Sequence, residues 1–182
     1  AASGTLVNDE DIVRFVPLIW GDATVGHFEF YFDGSDVGLT TDNEDVDAIA
    51  IAPDGRLVVS TLEAFSVTGA SGNDEDLIVF TATSLGSATA GTWAMHFDGS
   101  DVALTATAED VDAAAFMPTG EILLSTEGNF SVTGASGGDE DVFRFTPTTL
   151  GGTTSGTYAS YLDLSTLGIG TAADVGGVEW VP

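Results

Sequence analysis

Short apolar runs bounded by acidic and Gly/Thr-rich turns recur along the chain: IVRFVP at 12–17, LIVFTA at 77–82 and VFRFTP at 142–147. Runs of this length between turn residues predict β-strands. The stretch HFEFYF at 27–32 alternates, placing Phe28, Phe30 and Phe32 on one face and His27, Glu29 and Tyr31 on the other, the period of an extended chain. AIAIAPDGRLVVST at 48–61 predicts a hairpin: Pro53 fixes φ, Gly55 supplies a positive φ, and both flanks are β-rich. No stretch combines a helical period with caps, so the expected class is all-β.

The pattern repeats. A shift of 65 residues aligns Asp9-Glu10-Asp11 with Asp74-Glu75-Asp76 and Asp139-Glu140-Asp141, and Phe15 with Phe80 and Phe145. FDGSDV at 32–37 returns at 97–102 and decays to LDLSTL at 162–167, which keeps Asp163 and Ser165. EDVDAIAIAP at 44–53 matches EDVDAAAFMP at 109–118 and, with one deletion, ADVGGVEWVP at 173–182. Self-similarity at a fixed period is the signature of a repeat architecture. The expectation is one repeat domain, 1–182, of about three 65-residue units of four antiparallel strands: 8–72, 73–137 and a truncated 138–182. Residue 182 aligns with Pro53 and Pro118, so the third unit stops short of the strand matching DGRLVVSTLEAF. Three readings follow: a piece of a longer array, a gap filled by another chain, or a removed C-terminal sorting tail.

The hairpin, with its Asp54-Gly55 turn and branched or aromatic flanks, resembles the first two strands of a β-propeller blade in secreted bacterial proteins. The ending EWVP at 179–182 resembles the start of the Val-Pro-Glu-Pro signal of PEP-CTERM surface proteins. The resemblance implies a β-propeller-like fold at the cell surface. Propellers have four to eight blades, commonly of about 40 to 50 residues, so stacking of the same units as a β-sandwich or β-solenoid stays open.

Charge narrows the partners. The chain carries 29 acidic residues against Arg14, Arg56 and Arg144, with no Lys, for a formal charge of −26. Nucleic acid and anionic membranes are bound through Lys and Arg, so neither is expected as a partner. Eleven Phe, three Trp and three Tyr are too many for a disordered acidic tail. There is no Cys, which excludes disulfides and thiolate metal sites. No apolar run reaches the roughly 20 residues needed to span a bilayer, so direct membrane insertion is not expected. The opening AASG looks like the remainder after cleavage at a small-residue site, in keeping with export to the cell surface or beyond.

Most of the acid falls in three recurring clusters. DED contributes Asp9, Asp11, Asp74, Asp76, Asp139 and Asp141; DGSD contributes Asp33, Asp36, Asp98 and Asp101; EDVD contributes Asp45, Asp47, Asp110 and Asp112. Such residues cap turns through backbone N–H groups, and an acidic surface of the halophilic or acid-stable kind also lacks Lys. Concentration in register at strand ends favours a third reading, in which these Asp residues are oxygen ligands of Ca²⁺. None of the loops has the EF-hand pattern. His27 and His96 have no second His at ligand spacing. No GxSxG elbow occurs, and features found two or three times do not suit a unique active site, so no catalytic residue is expected. The aromatics Phe28, Trp93 and Tyr158 are expected in the core.

These readings converge on a non-enzymatic extracellular structural protein, self-associating into a surface layer, sheath or filament stabilised by divalent cations. The alternative is a propeller-type glycan- or protein-binding module of a larger adhesin. An absent strand leaves open sheet edges, and the segment expected to fill one in a neighbouring subunit is AASGTLV, through Thr5, Leu6 and Val7.

Overall fold

The computed structural model describes residues 6–181. The chain is all-β, with 3₁₀ turns and no α-helix among these residues. A first hairpin pairs β1 (Ile12–Ile19) with β2 (Val25–Phe32). Next come β3 (Val46–Ile51), β4 (Leu57–Thr61), a small separate hairpin of β5 (Phe65–Val67) and β6 (Ala70–Gly72), then β7 (Leu77–Ser84) and β8 (Ala90–Phe97). The set returns as β9 (Ala113–Phe116), β10 (Ile122–Ser125), β11 (Phe130–Val132), β12 (Ala135–Gly137), β13 (Val142–Thr149) and β14 (Ser155–Leu162).

Two antiparallel meanders result, β3-β4-β7-β8 and β9-β10-β13-β14. Each draws two strands from one sequence repeat and two from the next, so the sheets straddle the sequence frame. The β1–β2 hairpin matches the outer half of such a sheet. Residues 173–181 align with β3 and β9 but form no strand, and among the described residues no strand pairs with them. Among the described strands no sheet closes on itself.

The layers are held together by burial on both sheet faces. On β4 and β7, Leu57, Val59, Ile78 and Phe80 pack with Phe32 and Trp93 toward the first hairpin. Their neighbours Val58, Leu77 and Val79 face the second meander, meeting Ile122, Leu124, Phe143 and Phe145. Beyond it, Leu123 and Val142 carry Val175, Val178 and Trp180. Both faces being covered explains why these strands read as continuous apolar runs and do not alternate. Between the meanders β3 and β9 contribute mainly small residues (Ala48, Ala50, Ala114), with Phe116 half-buried at the end of β9, whereas β8, β13 and β14 supply Phe97, Phe145 and Tyr158. The first hairpin has a meander on one side only. Phe28, expected in the core beside its counterparts Trp93 and Tyr158, is therefore 64% exposed, against 5% and 8% for those two.

Adjacent layers are joined by the same bonds twice. An extra residue bulges β2, β8 and β14 at Tyr31, His96 and Tyr161, interrupting the strict alternation expected of 27–32. The carbonyls of Tyr31 and His96 accept the N–H of Gly86 (2.9 Å) and Gly151 (2.8 Å), in the turn of the next layer. Asp36 and Asp101 accept the N–H of Thr89 and Thr154, both at 2.9 Å, and those threonine hydroxyls accept the N–H of Asp33 and Asp98, also at 2.9 Å.

The turn after each DGSD motif ends on a residue with positive φ: Gly38 at 100°, Gly168 at 87° and, between them, Ala103 at 75°. A Cβ in this region costs about 1–2 kcal/mol. Ala103→Gly is expected to raise the urea midpoint, a net gain of up to about 1 kcal/mol after the unfolded-state entropy of glycine.

Candidate cation-binding cleft

The acidic residues divide by what their oxygens touch. The last carboxylate of each DED motif has a backbone donor on each oxygen. Asp11, Asp76 and Asp141 accept the N–H three residues back, from Asn8 (2.9 Å), Asn73 (3.0 Å) and Gly138 (3.1 Å). Each also reaches across to the DGSD-type turn, accepting the N–H of Gly34 (3.1 Å), Gly99 (2.8 Å) and Leu164 (3.2 Å). Asp33, Asp98 and Asp163 accept a serine hydroxyl two residues on, at 2.7–2.8 Å, besides a backbone N–H. Asp36 and Asp101 serve the layer junction described above.

Glu44 and Glu109, which the sequence reading did not select, are the most heavily bonded. Glu44 accepts from the backbone of Thr40, Thr41 and Ser66 at 2.9–3.2 Å. Glu109 accepts from Thr105, Ala106 and Ser131 at 2.8–3.0 Å. Burial pushes both carboxyls up, but the N–H donors outweigh it and hold them below the usual glutamate value. Thr41-x-x-Glu44 is a legible capping-box spacing; Ala106 breaks that signature in the second copy, where only the backbone half survives.

What remains is a set of carboxylates drawn together by one recurring bond. Val46, Val111 and Val175 donate their N–H to the carbonyls of Asp9, Asp74 and Asp139 at 3.1–3.2 Å. This sets the first residue of each DED beside Asp45, Asp110 or Asp174. The middle pair is enclosed by layers on both sides. Asp110 is 2% exposed and its Oδ1 has no hydrogen-bond partner. Asp112, 6% exposed, leaves both carboxylate oxygens unpartnered. Burial, then the charges of Asp47, Asp74, Glu127 and Glu75, push Asp110 up to about 8. Burial, then the adjoining Asp174 and Asp47, push Asp112 up as well. Burial raises Asp45, Asp47 and Glu75 in the same direction.

Asp110, Asp74, Glu75 and Glu127 line a cleft of about 750 Å³, with Asn73, Ser100 and Thr105 adding neutral oxygens. The arginines lie elsewhere: Arg14 pairs with Glu29 at 2.6 Å, Arg56 with Asp54 at 2.7 Å, and Arg144 sits on β13 opposite Leu123. Among the described residues, no three His, Cys, Asp or Glu side chains are already arranged to hold a metal ion. Of the fourteen aspartates expected as ligands, the structure thus gathers Asp47, Asp74, Asp110 and Asp112, with Asp9 and Asp45 paired one layer back. Asp11, Asp33, Asp36, Asp76, Asp98, Asp101 and Asp141 are committed to backbone or hydroxyl donors, and Asp139 lies beside the exposed Asp174. Asp174 joins the cluster from the repeat position it shares with Asp45 and Asp110, and Glu127 joins unannounced by any spacing.

Of the residues expected in assembly, Thr5 lies outside the described residues; Leu6 and Val7 are exposed and in no strand. No helix among the described residues is long and apolar enough to cross a membrane. No known protein family, curated protein or solved structure matches the chain.

Proposed function

We propose that the protein is a non-enzymatic structural element of an extracellular or cell-surface assembly, built from stacked β-layers and stabilised by divalent cations. The observation that supports it is the layer junction, made twice by the same bonds between Tyr31 or His96 and a turn glycine, and between Asp36 or Asp101 and a threonine. A structure in which each layer meets its neighbour by one repeated set of contacts extends by addition. The first layer carries the matching turn, with the Thr24 hydroxyl donating to Gly21 at 2.7 Å as Thr89 and Thr154 do to Gly86 and Gly151. It also exposes Phe28 and, at the hairpin tip, Leu18, Ile19 and Trp20. The third layer has Thr166 where Asp36 and Asp101 stand, so a further layer there is held without that carboxylate.

The expected result is polymer or sheet formation by the full chain in millimolar calcium, seen by negative-stain electron microscopy. Deleting residues 1–7 is expected to leave a folded chain that no longer polymerises. A chain that stays monomeric at high concentration, with and without calcium, overturns the assembly reading.

A second reading, a propeller-type binding module for glycan or protein, is favoured by the meander order and by the side-chain gradient between layers. Alanines on β3 and β9 let the layers converge along one edge while aromatics hold them apart along the other, which is the wedge that radial packing of blades requires. Saturable binding of an oligosaccharide by a monomeric chain would favour this reading.

A further inference from the structure

Buried charge is tolerated when it is paired, hydrogen-bonded or coordinated. The chain satisfies this rule at Glu44, Glu109, Asp11, Asp76 and Asp141, where every carboxylate meets backbone donors. It breaks the rule at Asp110. That side chain is as buried as any of them, its Oδ1 has no donor, and it lines an open cleft whose other ionisable groups are acids. The contrast lies between neighbours: Glu109 takes three backbone N–H groups and the next residue leaves an oxygen bare.

We propose that one hard divalent cation of the Ca²⁺ class seats in this cleft, held by the carboxylates of Asp110 and Asp74 with Glu127 or Glu75 completing its charge. The donors are all oxygen, and a carboxyl, amide and hydroxyl mixture suits Ca²⁺, which accepts six to eight such ligands in flexible geometry. No nitrogen or sulfur ligand lines the cleft, which disfavours Zn²⁺ and copper. The cation draws its ligands together from a cleft roomy enough for water to complete the shell. Enclosure by a layer on either side is what distinguishes this site from its repeats: Asp45 is half-buried and Asp174 exposed, so the middle layer holds the tight site and the outer two are weaker.

The inference rests on the cation-stabilised reading above, and its test is kept apart from assembly. Calcium chloride is titrated into chelator-treated full-length protein by calorimetry, at concentrations where light scattering shows a monomer. One tight saturable site is expected in wild type, weakened at least about tenfold in Asp110→Asn, with Asp54→Asn unchanged. Asp74→Asn is expected to weaken it as well and serves if Asp110→Asn does not fold. No saturable calcium binding by wild type, or undiminished binding by the cleft variants, overturns the site. Polymerisation without calcium binding would sink the site and leave the assembly standing; calcium binding by a chain that never polymerises would do the reverse.

Discussion

In metal-free buffer the protein is expected to melt several degrees higher at pH 5 than at pH 8.5. Asp110 has its carboxyl pushed up to about 8, and Asp112, Glu75, Asp45 and Asp47 move in the same direction, burial leading in each case. A carboxyl whose folded pKa lies above its unfolded value takes up a proton on folding. Its stabilising contribution is complete below the unfolded value near 4 and is lost as pH rises through the folded value. Asp76, pushed up to about 6 by burial in spite of its two backbone donors, loses its share earlier on the same limb. Glu44 and Glu109 work oppositely: their contribution is present above the ordinary glutamate value and lost as pH falls through their depressed ones. The two limbs place the metal-free optimum near about pH 5, at the acid end of the common range.

Magnitude decides whether this is visible. Discounted for relaxation and water entry, protonating two such groups still recovers about 3 kcal/mol, or roughly 6–12 °C for a chain of this size. General relief of the −26 charge also helps at low pH, so the control is the double variant Asp110→Asn/Asp112→Asn. It is expected to be more stable than wild type at pH 8.5 in chelator and to flatten the profile between pH 5 and 8.5. Calcium should raise the wild-type melting temperature far more at pH 8.5 than at pH 5, since the cation competes with protons for the same oxygens. A metal-free profile that rises from pH 5 to 8.5 would rule out the buried, unpaired state of Asp110.

The strands were legible because the chain writes them plainly. LIVF at 77–80 and the Pro53-Asp54-Gly55 hairpin each carry a local signal strong enough to survive any packing. The short hairpins were not: FSV and ASG run three residues each, with Thr68-Gly69 or Thr133-Gly134 between them and no apolar alternation to announce a strand. The sheet frame was hidden for another reason, since a 65-residue period has no intrinsic starting point and hydrogen bonding sets it at β3 and β9. For the acids, the spacing of DED, DGSD and EDVD located the clusters but could not sort them. Asp74 and Asp76 look alike in sequence; Asp76 ends at the N–H of Gly99, 23 residues on, while Asp74 ends beside Asp110. That sorting depends on which backbone donors the fold brings near, and a linear pattern does not contain it.

The sharpest consequence of that sorting is that two adjacent acids should respond to removal with opposite signs. Glu109 is 5% exposed and bridges the turn before β9 to the β11 hairpin, through Thr105, Ala106 and Ser131. Glu109→Ala takes the acceptor from three part-buried N–H groups on residues that are themselves exposed, so each loss is nearer the net worth of a hydrogen bond, about 1 kcal/mol. Water reaching the gap reduces the sum, and about 2 kcal/mol is expected to be lost, lowering the urea midpoint without changing the slope. Glu109→Gln keeps one oxygen but turns an NH₂ toward donors, so it should fall between alanine and wild type and weaken the acid limb of the profile. Asp110→Asn, one residue along, removes a charge that no donor receives and should stabilise the metal-free chain at pH 8.5. Equilibrium unfolding of the three variants in chelator at that pH measures all of this. If Glu109→Ala and Asp110→Asn shift the midpoint in the same direction, the division of the acids into bonded and unpartnered groups is wrong, and the cleft loses its claim to a cation.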